Sequence, residues 1–387
     1  MDLNSALRDL LYQDVVLYNL VLNAWQICEQ KNDTIDSTSP SEKADEILET
    51  LCTRHKTHTN LSPNDASFSI CIHSWCKSRR PDAAKRAERI LRKKEEFLNQ
   101  HVDGIAIRTA DYNPIISKWK EDPEHGLMYA TNLFEEMTQK SNKFQAYEPP
   151  NENTLNSLLA VYAKSSDVKG AEKAEECLRQ ANDMYEKHQT KLRPGMISYR
   201  TCINAYIGRK SSDSPPKVEA LVEDMIEKYE VQERADLRPD SNILDLILKA
   251  CNLVPMTWNM NGKDKANAQI IEIANRTFTK LRGKNNLKTN PTHSTYAYMF
   301  RIYNRHMDFT DPRYDLLMRN LWTQCCKDGL VSEFTLESFR MSVKERTFFE
   351  CIGRRGRMRN AESVTVSSLC HDWRKNVVPK RAQTNEP

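Results

Sequence analysis

The chain has 387 residues, of which 39% are hydrophobic and 28% are charged, with only 10 glycines. It contains no run of about 18 apolar residues, so no membrane-spanning helix is predicted. Its 11 cysteines show no disulfide spacing, and several fall on apolar helix positions. They are therefore predicted to be small buried side chains in a reducing compartment.

The net charge of +4 is unevenly distributed. From Arg340 to Pro387 there are 11 basic and 5 acidic side chains, whereas the remainder carries 46 basic and 48 acidic ones. Attraction for a polyanion is thus concentrated at the C-terminus. The densest part is the run formed by Arg354, Arg355, Arg357 and Arg359. Two interpretations stay open for it, a solvated loop or a contact with phosphates.

Residues 1–13 show a short helical pattern that leads directly into the first repeat described below. Its apolar positions are Leu3, Ala6, Leu7, Leu10 and Leu11. We interpret the segment as an N-terminal helix or as the remnant of an upstream repeat. No targeting peptide is visible, because Arg8 is its only basic residue and stands against Asp2 and Asp9.

Residues 152–195 contain the unit from which the chain is built. Leu155, Leu158, Leu159 and Tyr162 stand at offsets 0, 3, 4 and 7, which places one apolar stripe on one helix face. A polar break follows, and a second apolar-periodic run begins at Ala171 and ends before Pro194. The unit is therefore predicted to be a pair of antiparallel helices.

The unit repeats along the chain. The positions equivalent to Leu155, called marker residues below, follow one another at intervals of 40 to 52 residues and are Tyr18, Phe68, Tyr112, Leu155, Tyr199, Leu244, Tyr296 and Leu336. A period of this length with two helices per unit indicates an α-solenoid. The predicted fold is all-α, a right-handed solenoid of about seven to eight antiparallel helix pairs. Residues 14–345 form the repeat array, and residues 346–387 a basic C-terminal cap and tail with a helix around Ser363 to Lys375.

Several phrases resemble the opening of a pentatricopeptide repeat, namely Val16-Leu17-Tyr18-Asn19, Asp111-Tyr112-Asn113 and Asn153-Thr154-Leu155-Asn156. A second-helix phrase, Leu133-Phe134-Glu135-Glu136-Met137, followed by Pro150-Asn151, adds to the likeness. The Trp, Leu-Gly and Tyr pattern of tetratricopeptide repeats is missing. Since the usual pentatricopeptide period is about 35 residues, the chain resembles a divergent member with lengthened repeats.

This resemblance implies that the chain binds single-stranded RNA in a mitochondrion or chloroplast, with one base per repeat. It implies that bases are read by the residue after each marker and by the polar residue after the proline that closes each repeat. The first set is Asn19, Ser69, Asn113, Asn156, Arg200, Asp245 and Ala297, and the second set is Asn64, Arg108, Asn151, Gly195, Asp240 and Thr292. The combinations of Asn19 with Asn64 and of Asn113 with Asn151 would favour pyrimidines. Repeat six has Asp245 in the first position, which would repel a phosphate.

Two other patterns have a structural and a functional interpretation. Trp25, Trp75 and Trp119 stand seven residues after their markers and could stack on bases. Their phase beside Leu and Ile positions favours the core between helices instead. Cys52, His55 and His58 resemble metal ligands, but offsets of three and six do not converge on one helix face, so no metal site is predicted.

No carboxylate cluster of nuclease type is recognisable, so the chain is predicted not to be an enzyme and to need no cofactor, metal or small-molecule substrate. The function expected from the sequence is non-catalytic RNA binding in an organelle that supports RNA processing, stability or translation. The alternative is a protein–protein interaction scaffold, because helical solenoids present extended surfaces to proteins equally well.

Overall fold

A computed structural model of the chain describes residues 15–31, 39–55, 61–100, 104–165, 169–188, 192–255, 263–283, 287, 289–353, 361 and 364–377. Within these ranges it contains sixteen α-helices and, instead of strands, one isolated bridge between Ile107 and Tyr147. The predicted N-terminal helix and the run Arg354, Arg355, Arg357 and Arg359 lie outside the described residues.

The helices fall into two compact units, Met1–Cys202 and Ile203–Pro387. The first unit contains α1 Val15–Lys31, α2 Pro40–His55, α3 Asp65–Lys77, α4 Ala83–Asn99, α5 Thr109–Lys118, α6 Gly126–Lys143, α7 Glu152–Lys164 and α8 Gly170–His188. The boundary lies within α9 Met196–Arg209. The second unit continues with α10 Ser214–Glu230, α11 Ser241–Leu253, α12 Lys263–Arg282, α13 His293–His306, α14 Tyr314–Lys327, α15 Glu333–Ser342 and α16 Glu345–Cys351.

Odd-numbered helices are the first helices of eight repeats, and even-numbered ones are the second helices. In the first unit α1, α3 and α5 each pack on their own second helix and on the first helix of the next repeat, as α1 does on α2 and α3. The second unit shows the same order, with α11 packed on α12 and α13, and α13 on α15. These contacts between neighbouring repeats confirm the predicted all-α solenoid.

The marker residues lie in the core. All eight of them are buried, with exposed fractions between 0 and 8%. The small residues that begin the apolar stripe of five second helices are fully buried as well, at Ala44, Ala87, Ala130, Ala174 and Ala274. An alanine at this position lets two helices approach closely, which explains why the pattern recurs in each unit.

Trp75 and Trp119 belong to this core, with exposed fractions of 0 and 2%. Trp119 stacks on Tyr129 with the ring centroids 4.4 Å apart, and the guanidinium of Arg86 lies 5.5 Å from the Trp75 ring centroid. Trp25 is half-buried against the same core. The interpretation of the column as core is therefore confirmed for Trp75 and Trp119, and neither ring is available as a platform for bases.

Of the helix expected around Ser363 to Lys375, the structure describes residues 364–375, and these differ from the expectation. They form two short 3₁₀ turns, Val366–Ser368 and His371–Trp373. Their backbone forms hydrogen bonds with the loop after α14 instead. The Val331 N–H donates to the Trp373 carbonyl at 2.8 Å, and the Asn376 N–H donates to the Gly329 carbonyl at 2.9 Å. Residues 363–368 are Ser, Val and Thr only, which are weak helix formers, so these tertiary bonds prevail.

The tryptophan positions generate the first prediction. Trp75→Ala and Trp119→Ala should each lower the free energy of unfolding by about 3–5 kcal/mol, because each change leaves a cavity between packed helices. Chemical denaturation followed by circular dichroism measures the loss, and Trp25→Ala, at the half-buried position, should cost less. Two variants that unfold like the parent while RNA binding falls would contradict the core assignment.

Candidate nucleic-acid interface

The second set of predicted base-reading residues stands at the N-termini of first helices. Asn64 and Asn151 are the N-caps of α3 and α7, and each side-chain oxygen accepts a hydrogen bond from the backbone N–H three residues later, at 3.2 and 3.1 Å. Asp240 caps α11 in the same way, at 2.8 Å from the Ile243 nitrogen. Asn and Asp are strongly preferred N-caps, so the capping role alone accounts for these residue types.

Three members of the first set lie about one turn further along their helices and reach the start of the first helix of the next repeat. Asn19 donates to Asn64 Oδ1 at 3.1 Å and accepts from Ser67 Oγ at 2.7 Å. Ser69 donates to Asp111 Oδ1 at 2.7 Å, and Asn156 accepts from Ser198 Oγ at the same distance. The structure therefore places Asn19 and Asn64 in direct contact, and the hydrogen bond between them also joins repeats one and two.

The remaining predicted residues are placed less uniformly. No hydrogen bond joins Asn113 to Asn151 among the described residues, and the buried Asn113 Oδ1 has no partner there. Arg108, at the start of α5, is largely exposed and pairs with Asp65 at 2.9 Å. Arg200 is exposed on α9. The predicted set therefore mixes capping, junction and surface positions.

At Asp245 both carboxylate oxygens take part in the hydrogen bonds that join two repeats. Its two carboxylate oxygens accept hydrogen bonds from Thr292 Oγ1 at 2.6 Å and Thr295 Oγ1 at 2.5 Å, which form the capping box of α13. The side chain is buried, and burial raises the pKa of Asp245 to about 6 although both hydroxyl bonds act in the opposite direction. Since its carboxylate is occupied and buried, Asp245 is a structural joint between repeats six and seven.

The second helices carry charged pairs that cross from one repeat to the next. In the first unit Arg89 pairs with Asp45 at 2.6 Å, and Lys93 pairs with Glu49. In the second unit Arg276 pairs with Glu219 at 2.9 Å, and Lys280 pairs with Glu223. Surface pairs of this kind add little stability. They neutralise the paired cations of the second helices, so the surface formed by these pairs attracts a polyanion poorly.

A row of cations stands where three of the first helices end. Lys77, Lys120 and Lys164 follow their markers by nine, eight and nine residues, one in each of three consecutive repeats of the first unit. Lys77 and Lys164 are exposed and Lys120 is half-buried. Lys120 donates to Ser117 Oγ at 3.4 Å, and none of the three pairs with a carboxylate in the part of the chain that the structure describes. We call these three residues the lysine row.

The sequence analysis did not single out the lysine row. Its signal is an offset of eight or nine residues from the marker, which becomes visible once the marker column is known to be in phase in all repeats. Cations in the last turn of a helix also complement its dipole, and this gives the row a purely structural explanation. The helix-dipole explanation does not require a lysine eight or nine residues after the marker in three successive repeats.

Metal and membrane sites are not indicated by the described residues. They contain no group of three His, Cys, Asp or Glu side chains arranged to hold a metal ion, and His58 of the pattern considered above lies outside them. None of their helices combines the length and apolar content needed to cross a bilayer. Cys71, Cys202 and Cys251 are fully buried, and burial raises the pKa of each thiol, as expected for core cysteines.

The chain is an all-α helical-repeat protein. No protein-family model matches its sequence, and a comparison with curated proteins finds no match either. Among solved structures, it is similar to the crystal structure of the pentatricopeptide repeat protein PPR10 from maize, with 14% identity and a TM-score of 0.37. The likeness covers 85% of this chain and 46% of that protein, so this chain spans less than half its length. At this degree of overlap the likeness does not bear on what this chain binds.

The joint at Asp245 generates a pH prediction. Because its folded-state pKa is raised from 3.8 to about 6, the folded chain holds a proton that the unfolded chain releases. This contribution to the free energy of unfolding is complete below about pH 4 and is lost as pH rises through 6. Asp245→Asn removes the titration and keeps an amide for the two threonines. The variant should therefore gain stability relative to the parent as pH rises from 4 to 7, by up to about 3 kcal/mol.

Urea denaturation at a series of pH values measures this difference. Glu337→Gln is the control, because it removes a carboxyl group that is exposed on α15. Its stability should follow the parent across the range. Parallel pH profiles of Asp245→Asn and the parent would mean that the carboxyl group of Asp245 does not titrate in this window.

Proposed function

We propose that the chain is a non-catalytic protein that binds single-stranded RNA along the ends of its first helices. The observation that carries this proposal is the lysine row, three cations that stand eight or nine residues after the markers of successive repeats and have no carboxylate partner among the described residues. The resemblance to pentatricopeptide repeats points to the same ligand. It also implies an organelle, mitochondrion or chloroplast, and a role in processing, stability or translation of a transcript.

The physical basis is the regular spacing of the stack. Packed helices lie about 8–10 Å apart, so one cation per repeat produces an evenly spaced row that a phosphate backbone can follow. Backbone neutralisation releases counterions and supplies affinity that is independent of sequence. The paired charges of the second helices offer nothing comparable, because cations such as Arg89 and Arg276 already face carboxylates there.

Base preference in this proposal comes from the asparagines at the junctions. Asn64 Oδ1 accepts hydrogen bonds within the protein from the Asn19 amide and from the Ser67 nitrogen. The Asn64 amide nitrogen has no acceptor among the described residues, so it can donate to an acceptor on a base edge. We propose that this amide gives repeat one its preference for pyrimidines, while the lysine row supplies affinity without discrimination.

The lysine row generates a prediction about salt dependence. Changing Lys77, Lys120 and Lys164 to Gln should flatten the slope of log K against log salt by about two, since each phosphate contact on a single strand contributes about −0.7. Affinity should fall about equally for oligonucleotides of different sequence. Fluorescence anisotropy with labelled oligonucleotides over a potassium chloride series measures both quantities, and thermal melts should remain unchanged.

A matched control removes three cations that are already paired. Arg89, Lys93 and Arg276 changed to Gln lower the net charge by the same amount but leave the lysine row intact. Their slope should equal that of the parent. A control that loses as much slope as the lysine variant would show that binding follows net charge only. A parent protein that fails to bind RNA at low salt would favour the protein-interaction scaffold.

The arginine run supplies an independent prediction from the same titration. We propose that Arg354, Arg355, Arg357 and Arg359 also contact the RNA backbone, because they crowd six positions of the most basic part of the chain. Changing all four to Gln should then flatten the slope by a further two to three, at about −0.7 for each contact. An unchanged slope in this variant would identify the run as a solvated loop.

A further inference from the structure

Each first helix has a face that it turns toward the preceding repeat. The residue three positions after the marker lies at the centre of this face and is buried in all later repeats, with exposed fractions of 0 to 2% at Cys71, Ile115, Leu158, Cys202, Ile247, Met299 and Phe339. The position six after the marker is also buried in each of these repeats, with exposed fractions of 0 to 7%. We call this surface the upstream face.

The second helix of the preceding repeat covers the upstream face. Cys71 Sγ lies 3.6 Å from the Ala44 carbonyl of α2, and Cys202 Sγ lies 3.5 Å from the Ala174 carbonyl of α8. Ser74 Oγ of α3 lies 3.2 Å from Ser41 Oγ of α2. The central position of the face thus meets the small residue that recurs in second helices.

In α1 the same face has no cover among the described residues. Val21, the counterpart of Cys71, is 45% exposed. Ala24 is exposed and Leu17 is half-buried, although their counterparts in later repeats are buried. All three side chains are apolar, so this end of the array exposes a surface that its own repeat pattern builds for a helix.

We propose that residues 1–12 form a helix that docks antiparallel on the upstream face of α1. Their apolar positions Leu3, Ala6 and Leu10 follow the spacing of one helix face. With residues 13 and 14 as the turn, a length within the usual two to five residues of a helical hairpin, Leu10 stands opposite Leu17 and Leu3 opposite Ala24. Ala6 then stands opposite Val21.

This register repeats the pattern found inside the array. Ala6 meets Val21 as Ala44 meets Cys71 and as Ala174 meets Cys202. The segment is joined to Val15, the first residue of α1, so its closeness to the face comes at little entropic cost. The proposal does not depend on RNA binding, since it concerns a surface that the lysine row does not share.

A cross-link tests the register directly. Ala6→Cys combined with Val21→Cys should form an intramolecular disulfide under mild oxidation of the monomeric full-length chain, identified by peptide mapping. Ala6→Cys with Asn23→Cys is the control, because Asn23 is exposed and projects from another side of α1. The first pair should react at least about tenfold faster, since it is held in place and the control pair is not.

The other outcomes overturn the proposal. Equal rates for the two pairs would show that the segment is not seated in this register. A disulfide between two molecules would assign the upstream face to a second copy of the chain. As a second measurement, changing Leu3, Leu7 and Leu10 to Ser should increase hydrogen exchange in α1 and leave α5 to α8 protected, because repeats contact only their neighbours. Unchanged exchange in α1 would also contradict the docked helix.

Discussion

The structure depends on the burial of each first helix from two directions, by its own second helix and by the repeats before and after it. The marker residues and the residues three positions later are buried in the same way from Phe68 to Leu336 and from Cys71 to Phe339. Because no single repeat can bury both faces, stability comes from the stack, and the free energy of one repeat includes its interfaces with the next. The ends of an array are therefore where this fold needs additional cover.

Hydrogen bonds at the junctions then fix how one repeat sits on the next. Asn19, Ser69, Asn156 and Asp245 all bond to the start of the following first helix, and between repeats two and three the buried Lys94 adds an ion pair to Asp111 at 2.6 Å. Removing one partner of such a buried pair leaves an uncompensated charge, which is strongly destabilising. Positions that resemble base readers thus also hold the stack together, so a loss of RNA binding in their variants has to be separated from a loss of folding.

The sequence predicted the core well because helical periodicity and the marker spacing depend only on local pattern. It also predicted polar residues after the closing prolines, and Asn64 and Asn151 prove to be caps. The bond partners of these residues could not be predicted, because they lie 42 to 50 residues away at distances that vary with each insertion. The helix expected near residues 363–375 was wrong, since long-range bonds to Gly329 and Val331 prevailed over a weak local pattern.

Composition alone places the attraction for a polyanion at the C-terminus, because the chain before Arg340 has slightly more acidic than basic groups. The structure shows that this sum does not describe the charge at each place on the surface. On the second helices, cations such as Arg89 and Arg276 face carboxylates across the repeat boundary, so those charges cancel at short range. Exposed charges are screened beyond about 8–10 Å at physiological salt, so a bound strand senses the side chains next to it and not the total. The position of Lys77, Lys120 and Lys164 away from such pairs is therefore more informative about a polyanionic ligand than the net charge.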